Sequence, residues 1–274
     1  MKKIKLNNFY ISNQDKFCLI AGPCVVESRN HAVKIAGLID HICKELNINF
    51  IFKSSFDKAN RSSAKSTRGI GLSQSLKIFE EIKSIYNCPI TTDVHNEEQC
   101  KIIGENNIVD ILQIPAFLSR QTDLLIAAGN TKKIVNVKKG QFLSPNDMSN
   151  IVEKIIDTGN ENIILTERGV SFGYNNLVSD FRSVEIMKKY GYPVIFDATH
   201  SVQEPGGLGN KSGGKREFVP VLSRAAIAVG VAGLFIETHD DPDNAPSDGP
   251  NMIDIKELKS LLLRLKDIDR ISKS

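Results

Sequence analysis

No stretch of this 274-residue chain stays apolar for the roughly 20 residues that a bilayer-spanning helix needs. The one misleading segment, Phe17-Cys18-Leu19-Ile20-Ala21-Gly22-Pro23-Cys24-Val25-Val26, follows several lysines and superficially resembles a signal peptide or lipidation site. Pro23 stands where a small residue should precede the cysteine, and Glu27 ends the run, so a buried strand in a cytoplasmic protein is expected instead. The five cysteines, at 18, 24, 43, 88 and 100, are odd in number and show no Cys-x-x-Cys spacing. A disulfide framework and a structural zinc module are therefore not indicated, and a reducing compartment fits. An excess of one charge is also missing. Lys plus Arg number 35 against 32 Asp plus Glu, a net +3 that is too even to make nucleic acid or a membrane the main partner. Any anion site must be local. Linkers, low-complexity tracts and internal repeats are absent, so one domain over residues 1–274 is expected.

What is present is an ordinary globular composition, 41% hydrophobic and 24% charged, arranged in a regular alternation. Short apolar runs occur at 17–21, 50–53, 90–94, 109–114, 134–137, 163–166, 194–197 and 234–237. Most are continuously apolar, as parallel strands covered on both faces must be. Between them lie amphipathic stretches at helical spacing, such as Ile35, Leu38, Ile39, Ile42 and Leu46, or Leu72, Leu76, Phe79, Ile82 and Tyr86. Another is Ile255, Leu258, Leu261, Leu262 and Leu265. Eight such units predict an α/β fold, a single (β/α)8 TIM barrel, over an open doubly wound sheet or a generic α/β protein. Residues 4–11, within the first 15, are expected to form a short hairpin closing the bottom of the barrel.

Ionisable groups gather where the runs end. They are Lys53, Asp93, His95, Lys138, Lys139, Glu167, Arg168, Asp197, His200, Glu237 and His239, with the polar Gln113 among them. In barrels that rim carries the active site. Lys53, Lys58, Arg61, Lys138 and Arg168 supply cations from strands two, five and six. Cys24, His200, Glu237 and Asp248 supply metal-type ligands from strands one, seven and eight, which closure makes neighbours. A thiolate, an imidazole and two carboxylates suit a borderline divalent ion such as Zn²⁺, Fe²⁺ or Mn²⁺ rather than Mg²⁺ or Ca²⁺. Alternatively, Cys24 is a buried small hydrophobe and His200 a purely acid–base residue. Lys58-Ala59-Asn60-Arg61-Ser62-Ser63 offers a phosphate several charge-assisted hydrogen bonds, and Lys138 with Arg168 suits a second phosphate or a carboxylate. The bland reading of both is solvated loop cations. Gly209-Asn210-Lys211-Ser212-Gly213-Gly214-Lys215-Arg216 nearly matches a P-loop but ends in Arg216 where a hydroxyl should bind Mg²⁺. The segment from Pro205 to Gly214 reads better as a glycine-rich lid, or a plain surface loop.

At these residues the chain resembles the 3-deoxy-D-manno-octulosonate 8-phosphate synthases almost throughout. The resemblance is carried by Ala21-Gly22-Pro23-Cys24, by Phe52-Lys53-Ser54-Ser55-Phe56-Asp57-Lys58-Ala59-Asn60-Arg61-Ser62-Ser63, and by Gln113-Ile114-Pro115-Ala116-Phe117-Leu118. It continues in Asn136-Val137-Lys138-Lys139-Gly140, Glu167-Arg168-Gly169, Asp197-Ala198-Thr199-His200-Ser201 and Glu237-Thr238-His239. The resemblance implies a barrel enzyme that joins phosphoenolpyruvate to arabinose 5-phosphate with release of phosphate, for the inner core of lipopolysaccharide. It implies phosphoenolpyruvate contacts at Lys58, Gln113, Ala116, Lys138, Arg168 and His200, with Lys53 also on the substrate side. It places the sugar phosphate on Asn60, Arg61 and Ser62, with Arg120 donated by a neighbouring subunit of a homotetramer. The family has a metal-dependent branch with cysteine at the position of Cys24 and a metal-independent branch with asparagine there. Cys24, His200, Glu237 and Asp248 match the first, so a divalent ion (Zn, Fe, Mn or Co) is expected. Ser247-Asp248-Gly249-Pro250-Asn251 mixes features of both branches. The alternatives are the shikimate-pathway synthase that uses erythrose 4-phosphate, whose loop typically reads Lys-Pro-Arg-Thr-Ser, and a non-catalytic phosphosugar-binding barrel.

Overall fold

The computed structural model describes residues 1–59, 68–206 and 213–274. The chain opens with an antiparallel hairpin, β1 (Ile4–Leu6) and β2 (Phe9–Ile11). The first six barrel strands are β3 (Cys18–Gly22), β4 (Asn49–Lys53), β5 (Ile90–Asp93), β6 (Ile111–Ile114), β7 (Ile134–Lys138) and β8 (Ile163–Glu167). A short hairpin follows, β9 (Val170–Ser171) with β10 (Leu177–Val178), then the seventh strand, β11 (Val194–Asp197). The pair β12 (Gln203–Glu204) and β13 (Gly213–Gly214) precedes the eighth strand, β14 (Gly233–His239), whose end is joined by β15 (Ile253–Asp254). All eight pair in parallel, and β14 bonds to both β11 and β3, closing the barrel. Helices α1 (Arg29–Leu46), α2 (Leu72–Tyr86), α3 (Glu97–Gly104), α4 (Thr122–Asn130), α5 (Met148–Ile156), α6 (Arg182–Lys188), α7 (Val219–Ala228) and α8 (Ile255–Ser272) alternate with the strands. None of the described helices is long and apolar enough to cross a membrane.

Side-chain alternation along each strand makes two apolar clusters. Leu19, Phe52, Leu112, Val135, Leu165, Phe196 and Ile236 face outward under the helices. Cys18, Ile20, Ile51, Ile111, Ile134, Ile164, Ile195 and Phe235 fill the interior, where Ile4, Leu6 and Ile11 of the hairpin join them as a plug. Two residues further along the same interior rows the side chains turn polar: Lys53, Gln113, Asn136, Thr166, Asp197 and Glu237, all buried. An apolar floor thus carries a ceiling of buried polar side chains at the C-terminal ends of the strands.

Closure demands close approach at Gly233, whose register partners are Cys18 and Ile195. A Cβ there would stand 2.6 Å from the Cys18 carbonyl oxygen and 2.7 Å from both Cys18 Sγ and Ile195 Cδ1. Gly233→Ala is expected to cost about 1–3 kcal/mol as overpacking, read as a lowered midpoint in thermal denaturation. An unchanged midpoint would mean that the seam is looser than these distances say.

Candidate active site

Gly22 and Pro23 carry the chain out of β3 and leave Cys24 at the interior rim. The thiol is 2% exposed, with Sγ 2.9 Å from Asp248 Oδ2 and 3.1 Å from Ser247 Oγ. Glu237, near the end of β14, completes a group in which one ligand atom each of Cys24, Glu237 and Asp248 lies within 4.8 Å of the others. The sulfur is therefore aimed at carboxylates, not only packed against the barrel wall. Burial, with Asp248 and Glu237 adding to it, raises the thiol pKa well above its ordinary value, so without an ion the sulfur keeps its proton. Glu237 is fully buried; its Oε1 accepts from Lys53 Nζ at 2.6 Å, while Oε2 has no hydrogen-bond partner. A buried, unpartnered carboxylate oxygen beside a thiol and a second carboxylate is a donor set that fits a borderline divalent cation.

His200 stands at the edge of this group. Its Nδ1 is 2.9 Å from Asp197 Oδ2, and Nε2 is 4.0 Å from Glu237 Oε1. Nδ1 donates its proton to the Asp197 carboxylate, so in the neutral tautomer the free lone pair belongs to Nε2. The same Asp197 oxygen accepts from Lys138 Nζ at 2.6 Å, and its other oxygen takes the His200 backbone N–H at 2.9 Å. Burial opposes ionisation of Asp197, but His200 and Lys138 outweigh it and hold its pKa far below the usual carboxylate range. Lys138 also lies over the Phe235 ring, 3.6 Å from its centroid.

The remaining expected cations divide in two. Lys58 is 3.9 Å from Asp248 Oδ2, and the carboxylates of Glu237, Asp248 and Asp93 outweigh its burial to raise its pKa. Arg168 is 3% exposed, with Nη1 buried and unpartnered, as a cation awaiting an anion should be. Its backbone N–H and that of Gly169 donate to Glu167 Oε1, whose Oε2 accepts from Ser183. Lys53 lies in the barrel interior, its ammonium 2.6 Å from Glu237 Oε1 and 3.8 Å from Asp93 Oδ2. Gln113 is occupied likewise, donating to Asp93 Oδ1 at 2.7 Å and accepting from Asn136 at 3.2 Å. Ala116 is buried at the start of a 3-10 turn, and Arg120 two residues beyond that turn is exposed. Asn60, Arg61 and Ser62 lie outside the described residues, as do 207–212 of the expected lid and near P-loop. Lys215 of that near-match pairs with Glu204 at 2.8 Å. Sequence reasoning assigned no role to Asp93 and Asp197, although both end apolar runs in interior register. Gln203 was missed because it lies in a two-residue strand, β12, too short to show a periodicity.

Among the described residues a second cluster, Glu27, His31 and His239, has metal-ligand spacing. The Asp241 N–H donates to His239 Nδ1 at 2.9 Å, which leaves the ring proton on Nε2, 2.9 Å from Glu27 Oε1. That nitrogen therefore donates and offers an ion no lone pair. The contact acts as a clamp, because Glu27 lies just after Cys24 and His239 just after Glu237.

The DAHP synthetase I family profile matches residues 2–274. Curated proteins named 2-dehydro-3-deoxyphosphooctonate aldolase are similar over nearly the whole chain. That of Bartonella henselae is 57% identical over 270 residues, 98% of this chain and 96% of its own length. The Agrobacterium fabrum protein is 59% identical over 262 residues, 96% and 92% of the two chains. The Brucella ovis protein is 58% identical over 271 residues, 99% and 97%.

Proposed function

The chain belongs to the DAHP synthetase I family, and from that premise we propose that it condenses phosphoenolpyruvate with D-arabinose 5-phosphate and water. The products are 3-deoxy-D-manno-octulosonate 8-phosphate, for the lipopolysaccharide core, and inorganic phosphate. The observation that carries this reading is the meeting of two half-sites on one rim. Cys24, Glu237 and Asp248 converge beside Lys58, Gln203 joins Asp248 to Arg168, and Lys138 pairs with Asp197, which also bonds His200. The relatives' shared name favours this reaction over the shikimate-pathway alternative and over a non-catalytic binding barrel.

Lys138 and Arg168 hold the phosphoenolpyruvate anion, and that fixed orientation supplies much of the rate. C3 attacks the sugar aldehyde carbon, whose oxygen takes up a proton. Water adds at C2 and loses a proton; the hydroxyl so formed gives up its remaining proton as C2=O forms and the bond from C2 to the phosphate oxygen breaks, releasing phosphate. Asp197 keeps His200 oriented through Nδ1, leaving Nε2 to take a proton or to serve as a ligand. Cys24, Glu237 and Asp248, joined by His200, are the residues that would hold a divalent ion, Zn, Fe, Mn or Co. When bound, such an ion supplies Lewis acidity for the aldehyde or lowers the pKa of a water. Lys53 fixes Glu237 from below.

Turnover is expected with phosphoenolpyruvate plus arabinose 5-phosphate and little with erythrose 4-phosphate, because Asn60 can bond a sugar hydroxyl that the shorter sugar lacks. Phosphate release from the two sugars under identical conditions decides it; equal or reversed preference rejects the assignment.

The same reading makes the protein a homotetramer with Arg120 reaching a neighbour's site. Supporting it, Phe117, Phe142, Phe172 and Tyr174 are more than half exposed on the loops after β6, β7 and β8, Phe117 only three residues before Arg120. The Arg120 guanidinium has no partner among the described residues. Arg120→Ala and Arg61→Ala proteins should each bind the sugar poorly, whereas mixed tetramers should regain activity in sites that receive both intact arginines. A fully active monomer, or mixtures no better than either parent, would refute the shared site.

A further inference from the structure

Gln203 touches both half-sites at once. It follows the 3-10 turn His200–Val202 and opens β12. Its Oε1 accepts from Arg168 Nη2 at 3.1 Å, and its Nε2 donates to Asp248 Oδ1 at 3.3 Å. A guanidinium can only donate and an ionised carboxylate can only accept. Only a side chain with an acceptor at one end and a donor at the other satisfies both, and a carboxamide is that group. The partners therefore determine which way the amide faces.

We propose that Gln203 is a positioning residue that keeps Arg168 and Asp248 apart. A guanidinium and a carboxylate this close would otherwise form a direct charge-assisted, bidentate pair. Such a pair would take Arg168 away from the phosphoenolpyruvate anion and Asp248 away from Cys24. The neutral amide bonds each charge without neutralising it. Arg168 Nη1 remains unpartnered, and Asp248 Oδ2 remains turned to the Cys24 sulfur.

The backbone supports the same conclusion independently. Gln203 pairs in register with Gly214, and the Lys215 N–H donates to the Val202 carbonyl at 3.1 Å. Gly214 in turn lies so close to Asn251 that a Cβ on it would stand 1.4 Å from Asn251 Oδ1. The Asn251 N–H closes the turn onto the Asp248 carbonyl at 2.8 Å. The segment bearing Gln203 and the turn bearing Asp248 are thus pinned together, which holds the side-chain bridge in place.

This inference rests on the reading of the site given above, so the experiment is direct binding of phosphoenolpyruvate, by calorimetry, to the full-length protein. Wild type must bind; if it does not, the functional reading fails first and this inference with it. With wild-type binding established, Gln203→Met is expected to raise the Kd about tenfold, about 1.4 kcal/mol. KM for phosphoenolpyruvate should rise similarly, and more than kcat falls. Adding Asp248→Asn removes the competing charge, so the double variant should bind phosphoenolpyruvate within about threefold of Asp248→Asn alone. A merely structural role for Gln203 would show no such rescue. Gln203→Glu, nearly isosteric, is read in place of the methionine variant if that one loses its native circular dichroism; its carboxylate should pair Arg168 and weaken binding as well. Affinity within twofold of wild type in the substituted protein, or a loss that Asp248→Asn does not restore, overturns the proposal.

Discussion

Cys24→Ala is expected to lose bound metal and turnover together, by at least about a hundredfold in rate, beyond the 10–100-fold that changes behind a ligand usually cost. The basis is the position of the sulfur, buried and 2.9 Å from Asp248 Oδ2, with the unpartnered Glu237 oxygen nearby. Burial and the two carboxylates keep the thiol protonated in the absence of an ion. Metal uptake must displace that proton, so occupancy should fall as pH falls and chelators should strip the site more readily in acid. Prolonged chelation should abolish phosphate release, and Mn²⁺, Co²⁺ or Zn²⁺ should restore part of it. Cys24→Asn should keep weak turnover that is indifferent to chelator. Metal content and rate measured on the same samples decide the matter. If Cys24→Ala leaves both at wild-type levels, the residue only packs against the wall; full activity in metal-free protein would overturn the metal-dependent reading altogether.

Asp197→Asn should damage stability and turnover at once, for one electrostatic reason. The carboxylate is fully buried and one of its oxygens serves both Lys138 Nζ, at 2.6 Å, and His200 Nδ1, at 2.9 Å. Asparagine keeps the shape but removes the charge, leaving the Lys138 ammonium in the barrel interior without its counterion. Losing one partner of a buried pair costs about 3–5 kcal/mol. In a chain of this length that lowers the melting temperature on the order of 10 °C. His200 would also lose the group that fixes its tautomer, and turnover should fall about a hundredfold or more. Calorimetry with steady-state kinetics separates the two effects. A wild-type melting temperature would show that Lys138 does not depend on Asp197. Unchanged kcat in a destabilised protein would remove His200 orientation from the mechanism.

Much of the architecture was determined locally. Parallel strands covered on both faces are continuous apolar runs, and all eight appear within about two residues of where the pattern puts them, as does the hairpin at residues 4–11. Barrel closure makes strands eight and one neighbours, so the grouping of Cys24, Glu237 and Asp248 was also within reach of the sequence. Which groups neutralise one another was not. Lys53 reads in sequence as a rim cation, and only the fold shows that Glu237, 184 positions away, accepts from its ammonium. Gln113 ends a strand at the rim, and only the fold shows both ends of its amide engaged by Asp93 and Asn136. His200 joins the ligand group only at its edge, because Asp197 three residues earlier holds its ring. The sequence by itself determined the order of elements and the kinds of chemical group at the rim, since both follow from short-range periodicity. Only the tertiary structure decided the partners, because a buried charge pairs with whatever the closed barrel brings within 3 Å of it, however distant along the chain.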